Sequence, residues 1–157
     1  MYEHILVPTD GSDTSRQAVD QAVDIAEKYD ATVHALYVID VDATSYSLGT
    51  EQVDRIRSGH LDEMPEVTDA AKEATGYVAD AARERGVSVE EHVSAGEPAR
   101  AIRKFVEEHP IDLVVMGSHG RSGLSRVVLG SVAEKVLRRT RLPVLVVDSE
   151  EAEGTEA

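Results

Sequence analysis

Cysteine is absent from the 157-residue chain. That removes disulfide scaffolds, Cys-ligated metals and catalytic thiols from consideration. Lysine is scarce too: four Lys and twelve Arg stand against 30 acidic side chains, a formal net charge of −14. So negative a chain lacks the basic surface that non-specific nucleic-acid binding and docking on anionic lipid require. No segment approaches the roughly 18 consecutive apolar residues of a membrane span. Nor does the opening Glu3-His4-Ile5-Leu6-Val7 show the basic-then-apolar pattern of a signal peptide. The expectation is a cytoplasmic protein with neither nucleic acid nor membrane as partner. A carboxylate-rich, Lys-poor surface suits concentrated salt, an inference about habitat and not about function.

What is present suffices for one packed domain: the hydrophobic fraction is 41%, and the length is that of a single domain. Short apolar runs alternate with helical periods. Ile5-Leu6-Val7 is closed by the turn-forming Pro8-Thr9-Asp10-Gly11. From Ser12, Ala18, Ala22, Ile25, Ala26 and Tyr29 recur at helical spacing. Thr32 to Ile39 reads as a second strand, and Asp42 to Pro65 as a long variable connection. Val67 to Arg85 is helical again, stopped at Gly86. Val87 to Ser94 is a more polar strand, expected near a sheet edge. Glu97-Pro98 opens a helix with Ala99, Ile102 and Val106 on its apolar stripe. Ile111 to Met116 is the most hydrophobic strand and is expected to be central. A glycine-rich loop, a helix near Ser131 to Arg139 and a strand at Pro143 to Val147 complete a domain over residues 1–148. The acidic residues 149–157 read as a disordered tail.

Such alternation implies an open, doubly wound α/β fold, with right-handed crossovers and a parallel sheet covered by helices on both faces. Ligands of such folds sit beyond the carboxyl ends of the strands, where the strand order reverses. The loops after strands one, two and four are therefore the places to look.

The loop after the fourth strand reads Met116-Gly117-Ser118-His119-Gly120-Arg121-Ser122-Gly123, and Gly130-Ser131 follows. Its glycines let main-chain N–H groups approach a ligand closely. Ser131 stands three residues before Glu134, a capping-box pattern that makes Ser131 the expected helix N-cap. A helix N-terminus with its unpaired donors suits a phosphate. The plainer reading is a chain turn followed by an ordinary capped helix, and the pattern alone leaves both open. Walker A and the dinucleotide fingerprint G-x-G-x-x-G are both missing.

The spacing Gly117-x-x-Gly120, nine residues, Gly130-Ser131 resembles the signature of the universal stress protein family in its ATP-binding branch. Ile5 to Ser12 resembles that family's first strand and turn, and Leu142 to Val147 its last strand. The resemblance covers nearly the whole chain and is weakest in the Asp42 to Pro65 connection. It implies five strands in the order 3-2-1-4-5, so that strands one and four are neighbours at the reversal. It also implies a bound ATP. The backbone around Pro8, Thr9 and Val38 would hold adenine, and Asp10 would approach the ribose or a phosphate-bound Mg²⁺. Met116 and Gly117 would line the ribose and α-phosphate, while Gly120, Gly130, Ser131 and Val132 would wrap the outer phosphates. His119 and Arg121 would lie beside them.

Several of these residues have a second reading. Asp10 before Gly11 is a common turn former or cap; one carboxylate plus phosphates is nonetheless enough for Mg²⁺. His119 has no partnered carboxylate to orient it as a catalytic base, and Arg121 either meets a phosphate or lies in solvent. Ser122 lacks the flanking glycine pair of a nucleophile elbow, because position 124 is Leu. No catalytic residue is expected. His4, His34, His60, His92 and His109 read as scattered, without zinc-ligand spacing. As a sheet edge, residues 143–147 would expose backbone groups, and the resemblance implies that they pair with a twin in a homodimer. An ATP-binding stress-response regulator thus leads. A slow ATPase or phosphotransfer enzyme using Asp10, His119 or Arg121 and a nucleotide-free dimeric interaction module are the alternatives.

Overall fold

The structure is a computed structural model and describes residues 1–40, 65–118 and 130–148. The connection from Asp42 as far as residue 64, the loop residues His119, Gly120 and Arg121, and the tail 149–157 lie outside the described residues. Five strands form one sheet: β1 (His4–Pro8), β2 (Thr32–Asp40), β3 (Ser88–Gly96), β4 (Leu113–Gly117) and β5 (Val144–Val147). All neighbouring strands run parallel, in the order β3-β2-β1-β4-β5. The expected fold class and strand order are both observed. The described helices are α1 (Asp13–Tyr29), α2 (Pro65–Glu84), α3 (Pro98–Glu108) and α4 (Ser131–Arg139).

Alternation along the strands divides the interior into two layers. Ile5, Val7, Val33, Ala35, Leu113 and Val115 point to one face, where Ala18, Val19, Ala22 and Val23 of α1 and Val78 and Ala82 of α2 cover them. Leu6, Leu36, Val114 and Met116 point to the other, under Ala99, Ile102 and Phe105 of α3 and Ala133 and Val136 of α4. β1 and β4 are buried on both faces, which explains their continuous apolar sequences. Each fully buried Val, Leu or Ile contributes on the order of 1.5–3 kcal/mol. β3 lies at the edge and is largely exposed or half-buried, as its polarity suggests.

Local signals set the helix ends. Ser12 caps α1, its side chain accepting from the Ser15 N–H. Glu97 caps α3 with its carboxylate on the N–H groups of Ala99 and Arg100, and Pro98 takes the first turn. Gly86, at φ +70°, ends the turn after α2 in the left-handed region that favours glycine. Tyr29 departs from the expected apolar stripe of α1: it is 45% exposed and meets Tyr2 edge-on. Val19 and Val23 occupy the buried positions instead.

Candidate functional site

β1 and β4 pair at the point where the strand order reverses. The ends of β1, β2 and β4 and the start of α4 meet there, because the backbone bonds beyond the strands tie them together. The Thr9 N–H donates to the Leu36 carbonyl at 2.9 Å, and the Ser118 N–H donates to Val147 at 2.8 Å. The Gly130 N–H then donates to the Ser118 carbonyl at 2.8 Å, which delivers the first turn of α4 to the carboxyl end of β4. Ser118 is buried and its hydroxyl donates to Asp148 at 2.9 Å.

Pro8, Thr9, Asp10, Val38, Met116, Gly117, Gly130, Ser131 and Val132 are all described, and each belongs to one of these segments. Val38, Met116 and Val132 pack with the layer under α3 and α4. Thr9 is buried and its backbone N–H is already used by the sheet, while its hydroxyl oxygen accepts from the Gly11 N–H at 3.2 Å. Asp10 ties the turn to the start of α1, since its Oδ1 accepts from the Ser12 N–H at 2.9 Å and from the Ser15 hydroxyl at 2.8 Å. The turn-former reading of Asp10 is thus realised.

The expected N-cap of α4 is corrected by the structure. Gly130, not Ser131, is the cap, in an extended conformation with φ −62° and ψ 153°, and Ser131 is the exposed first residue of the helix. The Glu134 N–H returns to the Gly130 carbonyl at 3.0 Å, not to a serine cap. Since glycine has no side-chain oxygen, the cap residue supplies no acceptor to the first-turn donors, whereas Ser12 and Glu97 occupy those of α1 and α3. Gly117 is held for packing: a Cβ there would lie 2.8 Å from Cγ2 of Thr14 and 3.2 Å from the Thr14 backbone.

The profile of the universal stress protein family matches residues 1–148. The chain belongs to the universal stress protein family. Universal stress protein MJ0531 of Methanocaldococcus jannaschii is 41% identical over 147 residues, covering 94% of this chain and 82% of that protein. The solved universal stress protein UspA from Lactobacillus plantarum aligns with a TM-score of 0.71 at 33% identity, over 93% of this chain and 97% of that one. A crystal structure of a universal stress protein in complex with cAMP aligns with a TM-score of 0.65 at 28% identity, over 94% of this chain and 97% of that one.

A second constellation of this universal stress protein does not show in the sequence. Four of the histidines that read as scattered converge on the α3 side of the sheet, toward the amino-terminal ends of the strands. His4 Nδ1 lies 3.0 Å from His34 Nε2, and His34 Nδ1 lies 3.2 Å from His92 Nε2. The His109 ring stands 5.6 Å from that of His92 and stacks on Phe105 at 3.8 Å. His34 is only 3% exposed. Burial holds its pKa below the usual 6.5, with His92, His4 and His109 adding to the effect and Glu90 opposing it. Burial lowers that of His92 as well, against Glu90 and with His109. The available signal is strand parity: His4 precedes Leu6 by two residues and His34 precedes Leu36 by two, so both histidines share the face of those leucines.

Proposed function

We propose that the crevice at the β1–β4 reversal binds ATP, and that nucleotide occupancy is the regulatory state of a stress-response protein. The observation that carries this reading is the start of α4. Its first-turn donors have no side-chain acceptor from the cap residue, and they stand at the carboxyl end of β4, beside Gly117. A phosphate is the natural acceptor for such donors. Binding of cAMP by a neighbour of the same fold supports a nucleotide as the ligand class.

In this reading Pro8, Thr9 and Val38 flank the adenine, and Met116 and Gly117 flank the ribose and α-phosphate. Gly130, Ser131 and Val132 take the outer phosphates with Gly120, His119 and Arg121 of the loop. Charge-assisted bonds from oriented N–H groups are local, so a net charge of −14 does not oppose them. Mg²⁺ fits as a phosphate-borne ion with Asp10 as its one protein ligand, since Mg²⁺ keeps most of its waters. With Asp10 Oδ1 engaged by Ser12 and Ser15, nothing favours a general base there, and the reading is of binding, not turnover. The acidic 149–157 segment is a tail to a single domain over 1–148. β5 supplies a dimer edge: it ends the sheet, and Leu145 is 37% exposed on it.

Calorimetric titration with ATP and Mg²⁺ tests the site. The wild-type protein binds one nucleotide per chain, and Gly120→Val abolishes binding with an unchanged circular dichroism spectrum. Undiminished affinity in Gly120→Val sinks the phosphate loop. Nucleotide released from freshly purified protein, identified by mass spectrometry, reports the occupant directly.

A further inference from the structure

The imidazole cluster lies at the opposite end of the sheet from the crevice and does not depend on the nucleotide reading. We propose that His34, His92 and Glu90 form a binding site for a divalent transition cation of the zinc class, which fastens the edge strand β3 to β2. One ligand atom each from His34, His92 and Glu90 lies within 4.8 Å of the other two. The Nδ1 of His34 and the Nε2 of His92 are 3.2 Å apart. Two imidazoles on a tetrahedral zinc, with bonds of about 2.0–2.1 Å, hold their nitrogens roughly 3.3 Å apart. Glu90 Oε1 is 3.9 Å from His92 Nε2, and its exposed side chain has to close by about half an ångström to meet the same tetrahedral edge.

The β-sheet register explains the convergence. His34 pairs directly with Glu90, and His92 lies two residues further along β3, opposite Leu36. All three side chains therefore share one face of a parallel ladder. The outer groups complete the chemistry. With Nδ1 on the metal, His34 keeps its proton on Nε2 and donates it to His4 Nδ1 at 3.0 Å. Such a partner fixes the tautomer and orientation of a ligating imidazole. The backbone N–H groups of Glu3 and His4 donate to the Asp112 carboxylate, which anchors the strand that carries His4. His109 donates from Nδ1 to the Phe105 carbonyl at 3.0 Å, which fixes its ring 5.6 Å from that of His92.

Donor softness selects the ion. Two imidazoles and one carboxylate suit zinc and its neighbours, whereas Mg²⁺ and Ca²⁺ take oxygen. The Glu90 side chain is 60% exposed and that of His92 24%, so an ion enters from solvent and water fills a remaining position.

The test uses the full chain, stripped with a chelator and without nucleotide, titrated with ZnCl₂ by calorimetry and with CoCl₂ by visible absorption. One ion binds per chain, cobalt gives the intense absorption of a tetrahedral site, and zinc raises the melting temperature. His92→Gln and Glu90→Gln, both at partly exposed positions, each weaken binding at least ten-fold while retaining the wild-type dichroism spectrum. His4→Leu, which removes the outer acceptor, weakens it about 10- to 100-fold. Absence of saturable zinc binding by the folded wild-type chain overturns the proposal, leaving a hydrogen-bonded row of imidazoles. Affinity unchanged in both His92→Gln and Glu90→Gln overturns it equally.

Discussion

Gly117, at the end of β4, packs against Thr14 in the first turn of α1 so closely that no side chain fits between them. A Cβ at 117 would approach Thr14 Cγ2 to 2.8 Å, the Thr14 carbonyl carbon to 3.2 Å and the Ser15 nitrogen to 3.3 Å. The first distance is shorter than real Cβ contacts, and the backbone contacts cannot swing aside. Gly117→Ala is therefore expected to lower stability by about 1–3 kcal/mol through overpacking. Thr14→Ala in the same chain removes the shortest contact and recovers part of the loss, the backbone contacts accounting for the rest. Denaturant midpoints of the two single variants and the double variant measure the coupling. A Gly117→Ala protein as stable as wild type would show that α1 yields freely to the added methyl.

β5 spans only Val144–Val147 and forms the last strand on its side of the sheet. Leu145 is 37% exposed, while its neighbours are half-buried. An apolar side chain on an outer strand invites pairing with a second copy about a two-fold axis. Sedimentation velocity should show a wild-type dimer. Leu145→Asp, which puts two like charges across that axis, should give a folded monomer. A wild-type chain that stays monomeric at high concentration, or a Leu145→Asp chain that remains dimeric, removes β5 as the interface.

Much of the architecture is legible in the sequence, because strand parity and helix period are local properties. The buried runs Ile5-Leu6-Val7 and Leu113 to Met116, the helical period that begins after Ser12 and the stop at Gly86 all follow from neighbouring residues. The strand order is not local and follows only from the resemblance to a family. Two features escape for physical reasons. Ser131-x-x-Glu134 has the capping-box spacing, yet the helix engages one residue earlier, because Gly130 satisfies the cap geometry and its N–H is tied back to Ser118. The histidines are separated by 30 residues from His4 to His34 and by 58 from His34 to His92. Only the pairing of β1 with β2 and of β2 with β3, in this register, brings them together. No ligand-spacing rule written along the chain detects such a cluster. Asp10 lies between these cases: its turn role is legible and observed, while the metal role belongs to the proposed nucleotide site.

The same cluster makes the metal-free protein sensitive to mild acid. His34 faces His4 from β1, Glu90 and His92 from β3, and His109 from the end of α3. Burial lowers the pKa of both His34 and His92 in the native state, and Glu90 only partly offsets it. In the unfolded chain both imidazoles titrate near 6.5, so below that pH the unfolded state binds more protons than the native one. Stability is thus fully present above about pH 6.5 and falls as the pH drops, until the native imidazoles also protonate. Urea unfolding in the presence of chelator, between about pH 7.5 and 5.5, lies above most carboxylate titration and isolates this contribution. The midpoint should decline with falling pH in the wild-type protein and decline less in His92→Gln, which removes one of the two depressed imidazoles and a neighbour of the other. Equal slopes in the two proteins would mean that His92 takes up its proton as easily in the native state as in the unfolded chain, and that its burial carries no electrostatic cost.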